Sequence, residues 1–227
     1  MAARSLPRIA PLLVLFCLAA AVSMPMPAGA AGLPIEGKLL VVGWTEAYAG
    51  FSYFMDGASG VVVVPPTFFD VGDISPDTTK VTYSVRTNSG FFHANTGAVW
   101  VANIDGSGAA DLTGLAGLSG VNCNPRWSPD GRMIAFQHTI PVAGQKTCDA
   151  GFQVWLMAAD GSNLHQWLPS VTHPTWYPSW APDGYRLLCD GWGAGCVTAD
   201  VTGENVAVLP GVNGMDAKWS RDRSQVV

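Results

Sequence analysis

The stretch that decides the fold occurs twice: residues 124–131 read NPRWSPDG and residues 177–184 read YPSWAPDG. Trp127 and Trp180 occupy the same place in the two copies. Each copy is followed by an apolar segment, residues 133–136 and residues 186–189, that predicts a strand. Internal repetition has to be identified before single elements, because it sets the architecture of the whole chain.

Two weaker copies extend the repeat in both directions. Residues 73–77 read DISPD and precede an apolar strand candidate at residues 80–85. Residues 216–222 read DAKWSRD, with Trp219 at the repeat position, and precede residues 225–227. The repeat therefore spans most of the chain.

A second element recurs within each unit, namely an alternating strand that ends in an Asp-Gly turn. It occupies residues 99–107 and 154–162, with a weaker example at residues 196–203. Asp-Gly favours a tight turn, which predicts fourth strands near residues 110–113, 164–168 and 206–209. Four short strands in a unit of about 40–50 residues are typical of a β-propeller blade.

Upstream of these copies, residues 38–42, 52–57 and 61–64 match the second, third and fourth strands of a blade without its first strand. We therefore predict an all-β chain in which residues 37–227 form a β-propeller of four-stranded antiparallel blades. The count gives about four blades and the start of a fifth, so we expect an incomplete ring, truncated at the C-terminal end.

The N-terminus predicts a signal peptide at residues 1–30, followed by a short lead at residues 31–36. Arg4 and Arg8 precede an apolar run at residues 12–22, and residues 28–30 read AGA, a cleavage pattern. An uncleaved anchor is disfavoured because the run is shorter than the roughly 20 residues that span a bilayer. The expected protein is periplasmic or secreted, with no stable membrane insertion after cleavage.

Cysteine usage agrees with export, since an even number of cysteines follows the signal segment. A hairpin through the Gly-rich stretch at residues 190–195 predicts a disulfide between Cys189 and Cys196, which leaves Cys123 to pair with Cys148. A zinc site is the rival reading, but no C-x-x-C spacing supports it. We expect no bound metal.

Charge and motifs argue against several function classes. The net charge of −5, with 12 Lys and Arg in the whole chain, disfavours nucleic-acid binding. No G-x-S-x-G occurs, and the four histidines fall at unrelated repeat positions, so we assign no catalytic residue and no cofactor. The Asp-Gly turns lack the ligand spacing of a calcium loop.

The motif residues themselves are explained by turn chemistry, because Pro presets φ, Asp accepts from turn amides and Gly adopts conformations closed to other residues. The residues that we assign to the architecture of the repeat are Trp127, Pro129, Asp130, Gly131, Trp180, Pro182, Asp183, Gly184 and Trp219.

Candidate binding residues are the aromatics that depart from the repeat. Trp176 and Tyr177 precede the motif in its second copy, and Trp192 lies in the Gly-rich stretch between two cysteines. Exposed aromatics anchor partners at many interfaces. The alternative for Trp176 and Tyr177 is packing against a loop of the neighbouring blade.

W-S-P-D-G before an apolar strand, followed by a strand closing on D-G-S, resembles the WD-type repeat of TolB-like propellers, from about residue 37 onward. The resemblance implies a non-catalytic extracytoplasmic binding or assembly scaffold that presents loops to a protein or glycan partner. TolB itself has an α/β domain before its propeller, whereas here only a few residues separate Ala31, the first residue after the expected cleavage, from the first strand. The alternative is the propeller part of a prolyl-oligopeptidase-like hydrolase or a propeller lyase, with catalytic residues beyond Val227.

Overall fold

The computed structural model describes residues 38–44, 50–56, 62–63, 71–87, 96–104, 106–140, 151–169, 174–191, 195–209, 212, 217–220 and 225–226. All of them belong to the unit Glu36–Val227. The predicted signal peptide, the short lead at residues 31–36, Cys148 and Trp192 lie outside the described residues.

The described elements are strands apart from one helical turn. In chain order they are β1 (Lys38–Trp44), β2 (Gly50–Asp56), β3 (Val62–Val63), β4 (Val71–Ile74), β5 (Lys80–Thr87), β6 (Thr96–Asn103), β7 (Ala110–Asp111), α1 (Leu112–Leu115), β8 (Val121–Trp127), β9 (Met133–Thr139), β10 (Gln153–Ala158), β11 (His165–Gln166), β12 (Trp176–Trp180), β13 (Arg186–Asp190), β14 (Cys196–Asp200) and β15 (Ala207–Leu209).

These strands form four consecutive blades with antiparallel pairing within each blade, and one parallel pairing, Gly97 with Val121, joins blades 2 and 3. Blade 1 contains β1–β3, blade 2 contains β4–β7, blade 3 contains β8–β11 and blade 4 contains β12–β15. A bridge between Trp219 and Val226 begins a fifth unit. The predicted all-β propeller is confirmed, including the three-stranded first blade. Within the described residues no strand pairs blade 1 with the fifth unit, so they form an unclosed ring.

The core clusters of the described residues lie between blades 2 and 3, between blades 3 and 4, and between blade 4 and the fifth unit. In blade 3, Ile134 and Phe136 pack towards blade 2, whereas the intervening Ala135 packs towards blade 4. This alternation follows from the two-residue period of a strand. Phe136, Leu156 and Leu187 are fully buried, and burial of each such side chain contributes about 1.5–3 kcal/mol.

The fourth strand of blade 2 is shorter than predicted. Residues 110–113 were expected to be extended, but β7 ends at Asp111 and the chain turns into α1. The Asp111 carboxylate accepts a hydrogen bond from the Gly114 amide at 2.7 Å and so caps this helical turn. A local cap thus replaces the end of the strand.

The predicted disulfide between Cys189 and Cys196 is not formed, and both side chains are buried free thiols. In the ladder of β13 and β14, Cys189 is opposite Val197, whereas Cys196 is opposite Asp190. Because the two cysteines are one register position apart, their side chains leave opposite faces of the sheet. Cys189 packs towards blade 3 and Cys196 towards the fifth unit.

Candidate functional site: the cavity between the first strands

The Ser-Pro-Asp-Gly segment forms a closed turn between the first and second strands of a blade. Ser128 Oγ donates to Asp130 Oδ1 at 2.6 Å and accepts from the Met133 amide at 2.9 Å. Gly131 has φ 72°, a left-handed conformation that favours glycine. The Ser128 hydroxyl is the main group that holds the pKa of Asp130 below its usual value. The polar groups of the motif are thus engaged within the turn.

Hydrogen bonds link the first strands of successive blades. The Trp127 amide donates to Asp73 Oδ2 at 2.9 Å, which joins blade 3 to blade 2. Trp180 Nε1 donates to the Arg126 carbonyl at 3.1 Å, which joins blade 4 to blade 3. The Arg126 guanidinium also donates to the Gly72 carbonyl. Arg126, the residue before the motif tryptophan of blade 3, therefore takes part in both of these junctions.

A cavity of about 340 Å³ lies between these first strands. Its walls are formed by Asp73, Arg126, Trp127, Pro129, Pro178, Ser179, Trp180 and Lys218. Asp73, Arg126, Ser179 and Lys218 share one repeat position, directly before the motif tryptophan or its counterpart Ile74. The cavity is consequently the place where four successive repeats converge.

The residues at this position were not predicted as a site, although the repeat contains the clue. Flanking motif residues recur from copy to copy, whereas this position changes from Asp73 to Arg126, Ser179 and Lys218. Asp73 and Arg126 also make hydrogen bonds at the junction of blades 2 and 3, but the turn that follows this position is built from the recurring residues. Only the convergence of blades shows that the four side chains meet in one cavity.

Among the described residues, the cavity lining includes one acidic and two basic side chains. The Asp73 carboxylate accepts from the Ile74 and Trp127 amides, each at 2.9 Å. Burial raises the pKa of Asp73 above its ordinary value, and the positive charges of Arg126 and Lys218 act in the opposite direction. The described part of the lining thus places two basic groups beside one acidic group, in a chain of net charge −5.

Trp176, predicted as a binding anchor, is half-buried against blade 3. Its ring meets Phe152 edge to face, with the centroids 4.8 Å apart and an interplanar angle of 64°. Val121 and Cys123 belong to the same cluster. Trp176 lies at the start of β12 and outside the cavity lining.

Tyr177, the second predicted anchor, lies beside Trp176 with ring centroids 6.3 Å apart. Its φ is 50°, and the pairing of β12 with β13 shifts register between Trp176 and Ser179. The equivalent Asn124 in blade 3 also has φ 50°. The structure therefore brings Trp176 and Tyr177 together at an irregular strand start, next to Pro178 of the cavity wall.

The described residues contain no cluster of three or more His, Cys, Asp or Glu side chains arranged to hold a metal ion. Among the same residues, no helix has the length and apolar character needed to cross a membrane.

Comparisons with known proteins identify the fold at the level of structure. No family model matches the sequence, and no curated protein matches it. The putative TolB from Agrobacterium tumefaciens is 20% identical, with 75% of this chain and 60% of that chain covered and a TM-score of 0.58. TolB from Acinetobacter baumannii is 14% identical, with coverages of 94% and 50% and a TM-score of 0.61.

A third similar structure is that of the nidogen/laminin complex, which is 14% identical, with 80% of this chain and 64% of that chain covered and a TM-score of 0.55. The class of fold is therefore a β-propeller. Its particular form is TolB-like, and the chain spans 60% and 50% of the length of the two TolB chains. At these identities the similarity establishes the fold alone.

Proposed function

We propose that this protein is a non-catalytic, exported binding scaffold. Its propeller presents the cavity between the first strands, together with the adjoining Trp176 and Tyr177, to a protein or glycan partner. The observation that carries the proposal is the convergence of the same variable repeat position, from four successive units, on one cavity.

The difference between recurring and variable positions of the repeat supports a binding role for the cavity. The residues that recur hold the turns, as Ser128 and Asp130 do within one turn. The side chains of Arg126, Ser179 and Lys218 instead face a cavity of about 340 Å³, a size in the range of small-ligand sites. Binding sites commonly use a few polar groups that converge in this way.

Two further observations support the class of partner and the compartment. The nidogen/laminin complex shows a propeller of similar fold in an assembly of two proteins, which makes a protein a reasonable partner here. The basic, apolar and small-residue regions at residues 1–30 support export.

The test is site-specific photo-crosslinking in the producing cell. A photoreactive residue replaces Ser179 in the cavity wall, and in a second variant it replaces Leu115, which is 78% exposed on α1. We expect a discrete adduct from position 179 that is absent from position 115. Identical adducts from both positions, or none from position 179, would reject the proposal.

The same preparation tests the alternative of a propeller hydrolase or lyase. A scaffold returns its captured partner with an unchanged mass. Cleavage of the partner by the purified protein, lost in a cavity variant, would support the enzyme instead.

A further inference from the structure

Arg126 and Lys218 lie beside Asp73 in the described lining of the cavity, and the Asp73 carboxylate already accepts from two backbone amides. We propose that it binds a single carboxylate group of its ligand, held by Arg126 and Lys218. This inference rests on the proposed binding function and specifies the chemistry of the ligand.

The Asp73 carboxylate serves the blade junction rather than a ligand. Oδ1 accepts from the Ile74 amide and Oδ2 accepts from the Trp127 amide, each at 2.9 Å. Carboxylates bound to backbone amides in this way are well-satisfied acceptors. Asp73 therefore contributes a fixed negative charge and leaves its basic neighbours to meet the ligand.

Arg126 has donors to spare. One of its terminal nitrogens donates to the Gly72 carbonyl, which anchors the side chain across the junction with blade 2. A guanidinium carries several N–H donors arranged as a planar fork, and that fork matches the geometry of a carboxylate. An anchored fork loses less side-chain entropy on binding than a mobile one.

Lys218 brings a second positive charge from the fifth unit. It is exposed at the residue level and also lines the cavity, so it lies where solvent meets the cavity. Among the described lining residues, Arg126 and Lys218 place two positive charges beside Asp73. The fixed negative charge of Asp73 disfavours a second negative group on the ligand, so we expect a ligand with one carboxylate and not a dianion.

The remaining walls suit a small ring or a short side chain. Pro129 and Pro178 add apolar surface without a backbone N–H, and Ser179 offers one hydroxyl. A uronic-acid sugar and an acidic peptide side chain both present one carboxylate beside C–H groups. The shared feature is the carboxylate, and binding experiments can distinguish the two sources.

Calorimetry on the purified full chain at low ionic strength tests this inference. The probes are glucuronate with its neutral counterpart glucose, and N-acetyl-glutamate amide with N-acetyl-glutamine amide. We expect at least one acid to bind about tenfold more tightly than its neutral counterpart, because a charge-assisted bond is lost in the neutral form. The pair that shows the difference identifies the source.

Variants locate the site. Lys218→Gln should weaken binding of that acid about fivefold and reduce its salt dependence, since one cation is removed. Arg126→Lys should also weaken binding, because it keeps the charge but removes the fork. Lys80→Gln is the matched control, as Lys80 is an exposed lysine on β5 outside the cavity lining, and it should have no effect. Circular dichroism confirms folding of each variant.

Three results would overturn the inference: no preference of either acid over its neutral counterpart, tighter binding of inorganic phosphate than of both acids, or unchanged binding in a folded Lys218→Gln variant. If the crosslink from position 179 persisted in such a case, the proposed scaffold function would stand and only the inference of a carboxylate ligand would be rejected. If neither the crosslink nor binding of the acids were observed, both the proposed scaffold function and the carboxylate inference would be rejected.

Discussion

At the scale of single residues, two glycines near the cavity are required for different reasons. A Cβ at Gly72 would lie 2.4 Å from the Pro125 carbonyl oxygen, so glycine permits the close approach of blades 2 and 3. Gly131 has space around it, because the nearest atom to a Cβ there is Pro76 Cδ at 3.6 Å, but its φ is 72°. One position excludes a side chain by contact and the other by backbone conformation.

The first prediction separates these two effects. Gly72→Ala should lower the free energy of unfolding by about 3 kcal/mol, because backbone at the blade junction must move. Gly131→Ala should lower it by about 1 kcal/mol, the cost of a left-handed alanine. Urea denaturation measures both. Equal losses, or a larger loss for Gly131→Ala, would contradict the prediction.

At the scale of the elements, equivalent first strands make unequal junctions. Trp180 on β12 donates its indole N–H to the Arg126 carbonyl at 3.1 Å. The indole N–H of Trp127 on β8 has no hydrogen-bond partner in the described part of the chain. Both rings are buried, with 9% and 6% exposure respectively. The repeat therefore provides two equivalent tryptophans whose indole N–H groups differ in hydrogen bonding.

The second prediction uses this pair. Trp180→Phe should cost about 1 kcal/mol more than Trp127→Phe, because it removes the hydrogen bond to the part-buried Arg126 carbonyl. The change in ring size is the same in both variants, so it acts as the internal control. Chemical denaturation of the two variants side by side gives the difference. A cost for Trp127→Phe as large as that for Trp180→Phe would count against the assignment.

The third prediction concerns the register of β13 and β14. Burial, together with the neighbouring Asp190 carboxylate, raises the pKa of Cys196 to about 11, and burial also raises the pKa of Cys189. Alkylation requires the thiolate, so both should resist iodoacetamide in the folded protein. In denaturant both should be alkylated without prior reduction, as mass spectrometry of the peptides will show. If alkylation in denaturant required a reductant, this result would support the disulfide between Cys189 and Cys196 and contradict the prediction.

The partner predicted for Cys123 stays a prediction. Cys123 is buried beside Phe152, and Cys148 lies outside the described residues. The alkylation experiment reports on this pair as well, since a disulfide there would protect both peptides until reductant is added.

At the scale of the whole molecule, the junction between blades 2 and 3 contains a buried histidine. His138 Nδ1 lies 2.8 Å from Asn122 Oδ1, and the Asn122 amide nitrogen donates to the Gly97 carbonyl at 2.8 Å. The amide oxygen therefore accepts from Nδ1–H of a neutral imidazole. Trp155 covers the ring edge to face, with the centroids 4.9 Å apart. Burial lowers the pKa of His138 below its ordinary 6.5.

The fourth prediction follows from the sign of this shift. The unfolded imidazole binds a proton more readily than the folded one, so the stability from neutral His138 is present above pH 6.5 and declines as the pH falls through that value. His138→Gln should reduce the slope of unfolding free energy against pH between pH 6.5 and lower values. Denaturation of both proteins across this range measures the slope. An unchanged slope would exclude His138 as its source.

The repeat, the blades and their turns could be predicted from the sequence because they depend on local chemistry. Proline, aspartate and glycine specify the turn at residues 128–131. The strands are indicated by alternation of apolar residues over short stretches of neighbouring residues. The short α1 escaped prediction because the Asp111 cap competes with strand extension, which sequence alternation does not reveal.

What only the tertiary structure decided involves residues far apart in the chain. Asp73 meets Trp127, and Trp180 meets Arg126, across 54 residues in each case. Blade packing placed Trp176 on Phe152, separated the faces of Cys189 and Cys196, and collected Asp73, Arg126, Ser179 and Lys218 around one cavity. The sequence by itself determined each blade, since its strands and turns follow from neighbouring residues. The site depends on how the blades pack against one another, and this long-range packing cannot be inferred from local patterns.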